Sequence, residues 1–209
     1  MSIAKARNSG TVKWARLMSN IFHPWIVLVP VLGLAAYQAL GEPLDSLRWT
    51  VIAFLPALVV PFIYGKIRVM VLSRGGERRR VSRSLVRNDP RQLLIMTGLF
   101  GIPAALTLHF LDGPRNLLVI ILGVAAVMLA IAMINLTFRA SFHLSMVTSM
   151  LTALWFLFGA VSLVSFMLIP VLGVSRYRLG EHTPIQMVVG IIVGLVVGGA
   201  VFFGLGLAE

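Results

Sequence analysis

The sequence predicts an all-α fold: a polytopic membrane helix bundle of six to seven membrane segments. Three observations predict it. Of 209 residues, 58% are hydrophobic and 12% charged, with a mean hydropathy of +0.95, whereas a soluble domain averages roughly 25% charged residues. Apolar runs recur at lengths of about 20 residues, which a hydrocarbon core of roughly 30 Å demands of a helix. Basic residues gather in the gaps between alternate runs.

Residues 1–20 read as a basic N-terminal segment and 21–209 as one transmembrane domain. The first run, Ile21–Leu40, starts too far from the N-terminus and is too long for a signal peptide, and it lacks a small-residue cleavage pattern. Trp49–Leu72, Gln92–Phe110 and Asn116–Phe138 follow, then Met146–Leu172 and Pro184–Leu207. The fifth is ambiguous, because the chain is apolar for about 30 residues between His143 and Ser175. As one straight helix it would reach roughly 45 Å, which strong tilt could accommodate. The alternative is a tight hairpin near Phe158-Gly159-Ala160, where glycine permits the turn. One helix gives six segments; the hairpin gives seven.

Charge bears on this choice. With the hairpin, segments 1–20, 66–91, 139–143 and 175–183 share one face and hold sixteen of the eighteen basic residues, leaving Arg48 and Arg115 opposite. The positive-inside rule then places the N-terminus and this face in the cytoplasm, as expected in a prokaryotic cytoplasmic membrane. A single helix would carry Arg176 and Arg178 across and reverse the last span. The charge pattern favours the hairpin.

The absence of cysteine excludes disulfides, thiolate metal sites and thiol nucleophiles. The net charge of +11 is not interleaved with aromatics, and no nucleic-acid module is recognisable, so nucleic acid is not an expected partner.

Three polar clusters stand at helix ends on the basic face. Arg74–Arg91 reads RGGERRRVSRSLVRNDPR. It suits a stop-transfer cluster on anionic headgroups, and equally a phosphate clamp, since the planar fork of arginine binds phosphate oxygens bidentately. Arg139-Ala140-Ser141-Phe142-His143 opens a helix whose free N–H groups favour an anion. There Arg139 brings charge, Ser141 a hydroxyl and His143 a titratable proton; an interfacial anchor and cap is the plain reading. In the third cluster, Ser175–Gln186, His182 stands just before a helix with Pro184 in its first turn, and Gln186 is four residues on. The Gln186 amide oxygen could hold one ring N–H of His182 and leave the other nitrogen free to attack phosphorus, with Ser175 and Arg176 stabilising equatorial oxygens. His23 and His109 read as interfacial side chains outside this pocket.

The third cluster resembles a motif of the type 2 phosphatidic acid phosphatase family, membrane branch: Ser-Arg, five residues, His, three residues, Asp. Ser175, Arg176 and His182 match, and Gln186 stands where the family has aspartate. Arg139, Ser141 and His143 resemble the Lys-x-Ser-x-His form of the second motif. The first motif, Lys, six residues, Arg-Pro, is incomplete: Arg83, Arg87 and Arg91 are its candidates, without a lysine. The resemblance covers most of the chain from about residue 50.

It implies a core like that family's and hydrolysis through a phosphohistidine on His182. His143 would protonate the leaving group, and Arg176 with Arg87 or its neighbours, Ser141 and Ser175 would bind the phosphoryl oxygens. No cofactor or metal is expected. The expected partner is a membrane phospholipid or an isoprenoid phosphate such as a polyprenyl diphosphate. A rival reading is a weak or inactive member that binds lipid phosphate, self-associates or serves as a subunit of a membrane complex. A transporter or channel subunit is disfavoured, because the spans carry few ionisable residues. Gly190, Gly194, Gly198 and Gly199 permit close helix packing, within the chain or between copies.

Overall fold

Every element described by the computed structural model, which covers residues 10–73 and 90–207, is helical. In chain order these are α1 (Gly10–Ile21), α2 (Pro24–Leu40), α3 (Pro43–Ser73), α4 (Pro90–Phe110), α5 (Arg115–Ile134), α6 (Phe142–Phe158), a 3₁₀ segment (Gly159–Met167), α7 (Leu168–Arg178) and α8 (Pro184–Gly204). Four of them begin at proline, whose missing N–H costs nothing in the first turn. Pro30, Pro56, Pro61 and Pro103 lie within helices, as spanning helices tolerate where neighbours restore the freed backbone bonds.

Among the described residues, five helical runs are long and apolar enough to cross a membrane, and α1 with α2, bent by 43° between them, makes a sixth. The first span therefore differs from the expected Ile21–Leu40. It breaks at Phe22-His23, and α2 starts afresh at Pro24, because a residue before proline is pushed out of the helical region.

The run from Phe142 to Arg178 is 37 residues long, and it folds back on itself. Gly159 ends α6 at φ 57°, ψ −139°, a conformation open to glycine. The 3₁₀ segment packs on α6, and α7 returns to the end where α6 began. Arg176 consequently lines the same cavity as His143, whereas a straight helix would hold them about 50 Å apart. The ambiguous fifth run is thus a hairpin, with its turn at the expected glycine.

At the centre lies α6, where Leu144 to Leu154 is buried without a break. It packs against α2, α5 and α8. Large apolar side chains such as Leu55, Phe62, Ile102, Val196 and Phe203 are exposed on the outer helices, forming the surface a bilayer would cover.

The tightest contact joins α6 to α8. A Cβ at Gly190 would come within 2.6 Å of the Ser141 carbonyl oxygen; one at Gly194 would collide with the Ser145 carbonyl oxygen; one at Gly198 would lie 2.6 Å from Ser149 Oγ. Glycines four residues apart on one helix meet serines four residues apart on the other, so the backbones approach closely with only small side chains at the contact. Gly199 is the exception, with an added Cβ meeting only Thr152 Cγ2 at 3.8 Å. Three of the four glycines therefore pack within the chain.

Gly194→Ala is expected to destabilise the folded protein by roughly 1–3 kcal/mol, the range for overpacking a close contact. Gly204→Ala, which meets nothing within 4 Å, is expected to be near neutral. Equilibrium unfolding in mixed micelles distinguishes the two, and equal effects would remove the special status of the α6–α8 contact.

Candidate functional site

Helix ends at one pole of the bundle bring the polar clusters together. The hinge between α7 and α8 is built first by its backbone. Gly180, at φ 68°, follows α7 in the left-handed region. Its N–H donates to the Tyr177 carbonyl (2.9 Å), and the Glu181 N–H donates to the Arg176 carbonyl (3.2 Å). This pair of bonds is the glycine-ended helix stop that satisfies the last carbonyls, and it turns Glu181 back over Arg176. The carboxylate Oε2 lies 2.5 Å from Arg176 Nη2. Nη1 donates to Ser19 Oγ on α1 (3.1 Å). The Nε of Arg176 is buried without a hydrogen-bond partner.

The start of α8 positions His182. Thr183 is the N-cap, and with Gln186 it forms a capping box: Gln186 N–H donates to Thr183 Oγ1 (3.4 Å), and Thr183 N–H donates to Gln186 Oε1 (3.1 Å). This second bond fixes the amide with its oxygen toward the turn. The same oxygen lies 3.3 Å from His182 Nδ1. A carbonyl oxygen only accepts, so Nδ1 carries the proton and Nε2 keeps its lone pair. Glutamine at this position therefore has a structural reason: it completes the box and selects the ring tautomer.

His182 is only 6% exposed. Its pKa is held below the usual histidine value, first by burial, next by the Arg176 guanidinium and also by Arg139; the hydrogen bond that His182 donates to Gln186 and the charge of Glu181 oppose this. The net direction favours neutral imidazole, the form a nucleophile requires.

His143, in the first turn of α6, lines a cavity of about 430 Å³ with His23, Arg176, Arg178, Glu181, Arg16 and smaller side chains of α1. His182 is buried and is not among the lining residues. The two histidine-bearing turns are nevertheless joined, since the Ser141 N–H donates to the Gln186 carbonyl (3.0 Å). Arg176, His23 and His182 all lie within electrostatic reach of His143.

The remaining candidates divide. Ser141 is fully buried, and its hydroxyl has no hydrogen-bond partner. Ser175 is also buried, and its hydroxyl donates to the Val171 carbonyl (2.9 Å) within α7. Arg139 is exposed and close enough to act on His182 electrostatically. Arg91 is exposed at the start of α4 and is not among the residues lining the cavity. Arg83 and Arg87 lie outside the described residues. Among the described residues, no three histidine, aspartate or glutamate side chains converge as metal ligands.

His23 corrects the expectation that it stays apart. Its ring meets that of His143 edge to face, with centroids 4.9 Å apart and planes at 89°. Counting helices would have found it: His23 directly precedes α2, and the four helices from α2 to α5 return the chain to the same pole at His143. His109 is at the opposite end of α4, beside Phe110. The capping box was also present in the sequence as Thr183-Pro184-Ile185-Gln186.

No protein-family model, curated protein or solved structure matches this chain.

In a histidine NMR titration, His182 is expected to lose its proton below the ordinary value of about 6.5. Arg176→Met should move the midpoint upward, because it removes a cation and leaves Glu181 without its partner. A native midpoint at or above 6.5 would contradict this electrostatic arrangement.

Proposed function

We propose that the protein is a metal-independent phosphatase acting on a membrane lipid phosphate or polyprenyl diphosphate, as the resemblance to the type 2 phosphatidic acid phosphatases implies. The observation that carries this reading is the geometry of His182: Gln186 Oε1 lies 3.3 Å from Nδ1, an arrangement that favours Nε2 as the nucleophilic nitrogen, and Arg176 is near. In the first step, the Nε2 lone pair forms a bond to phosphorus as the bond to the leaving oxygen breaks. His143, as its imidazolium, gives that oxygen its proton. Water then attacks phosphorus as the now neutral His143 takes a proton from it, the P–N bond breaks, and phosphate leaves while His182 regains its lone pair, with both histidines back in their starting forms. Arg176, with its unpaired Nε, stabilises charge on the phosphoryl oxygens.

The cavity supports an amphiphilic substrate. Among the described residues it is lined by Arg16, Arg176 and Arg178 against a single acid, Glu181, and it lies at the pole of a bundle whose flanks are apolar. An anionic headgroup fits the first and a hydrocarbon tail the second. Glu181 must give way for phosphate to take the Arg176 fork, and the buried His182 must be reached.

Those same two features favour a second reading, in which the site binds lipid phosphate with little or no turnover. Gln186 can orient His182 but cannot offset a positive imidazole as a carboxylate would.

Phosphate release from phosphatidate or a prenyl diphosphate in micelles decides between them. His182→Ala is expected to abolish release and His143→Ala to reduce it by roughly 10²-fold or more. Gln186→Glu keeps the capping box and adds the carboxylate, so it should raise the rate. Unchanged release in both histidine variants would sink the phosphatase reading. Protection of the protein by lipid phosphate without release would establish the binding one.

A further inference from the structure

Of the rings lining the cavity, His23 is the one that the phosphatase reading leaves without a role. Its position is tightly determined. Pro24 keeps His23 in extended backbone at φ −61°, ψ 136°, so it stands outside α2 as the cap. There its carbonyl accepts from the N–H groups of Ile26 (2.8 Å) and Val27 (3.1 Å). On the other side, its own N–H donates to the Asn20 carbonyl (3.3 Å). One turn back, Ser19 receives the bond from Arg176, which ties the α1–α2 elbow to α7 without involving His143.

His143 has the opposite problem. Rotation about the last side-chain bond of a histidine is broad and roughly two-fold, so its own helix does not fix where the ring nitrogens point. Neighbours must. The Phe142 ring is 6.1 Å away at 82°, and His23 is nearer, 4.9 Å away at 89°. A general acid has to present N–H to the leaving oxygen at about 2.6–3.2 Å, a tolerance that a freely rotating ring does not meet.

We infer that His23 is a positioning residue: its ring, meeting that of His143 edge to face, sets the orientation of the His143 imidazole and makes the α1–α2 elbow part of the site. Its consequence for turnover rests on the phosphatase reading. The ring contact does not.

Phosphate release from phosphatidate micelles and the ring NMR signals of His143 are to be measured together in the full chain, for the native protein, His23→Ala, His23→Phe and His182→Ala. Because a misplacement of about 1 Å can cost on the order of 10²-fold, His23→Ala should lower kcat by roughly tenfold or more, with KM within about twofold. It should also displace or split the His143 signals. His23→Phe, which restores an aromatic edge without a titrating nitrogen, should recover both. An unchanged kcat and unmoved His143 signals in His23→Ala would overturn the inference. So would a His23→Phe variant as impaired as His23→Ala, since the ring nitrogen rather than the ring contact would then be at work. Absence of release in the native protein, or release that survives His182→Ala, refutes the phosphatase reading instead. In that case the His143 signals still decide: displacement in His23→Ala with recovery in His23→Phe supports the positioning role, and no displacement overturns it.

Discussion

Close approach of α8 to α6, through Gly190, Gly194 and Gly198 against Ser141, Ser145 and Ser149, is the constraint on which the rest depends. Apolar side chains gain little by leaving lipid for protein, so helices within a bilayer are held chiefly by packing and by hydrogen bonds. Removing side chains from one face lets the two backbones meet. At the polar end this same contact joins Ser141 to Gln186 through a backbone hydrogen bond. It therefore sets the turn bearing His182 beside the turn bearing His143, and chemistry at this pole inherits its geometry from packing inside the membrane.

Arg176 is the electrostatic counterpart of that contact. Its guanidinium joins α1 through Ser19 and the α7–α8 turn through Glu181, and its charge reaches three histidines. A largely buried cation needs an anion or a full set of acceptors. Glu181 supplies the anion, while Nε is left without an acceptor. A phosphoryl group could satisfy both needs. Under the phosphatase reading, substrate binding is an exchange of one anion for another at Arg176, which makes Glu181 a determinant of affinity as well as of structure.

Much of the fold was readable because bilayer thickness constrains the chain so strongly. Span lengths, the basic pole and the reversal near Gly159 follow from hydropathy and charge placement. The break at Phe22-His23 was hidden because hydropathy does not register a His-Pro boundary within an apolar stretch. At the site, the pairing of His182 with Gln186 could be read from spacing, and so could the proximity of Arg176. His23 was passed over because sequence separation from the other clusters concealed that the four helices after it return the chain to the same pole. Burial of His182, and engagement of Arg176 by Glu181, depend on how a glycine-ended helix stop turns the chain, which residue types alone do not specify. Arg83 and Arg87 lie outside the described residues.

The most direct test is an experimental structure with orthovanadate, which adopts the trigonal bipyramidal geometry of phosphoryl transfer. The expected result is vanadium bonded to Nε2 of His182, Arg176 on the equatorial oxygens with Glu181 displaced, and His143 facing the apical oxygen. Vanadate bound away from His182, with the Arg176–Glu181 pair intact, would contradict it.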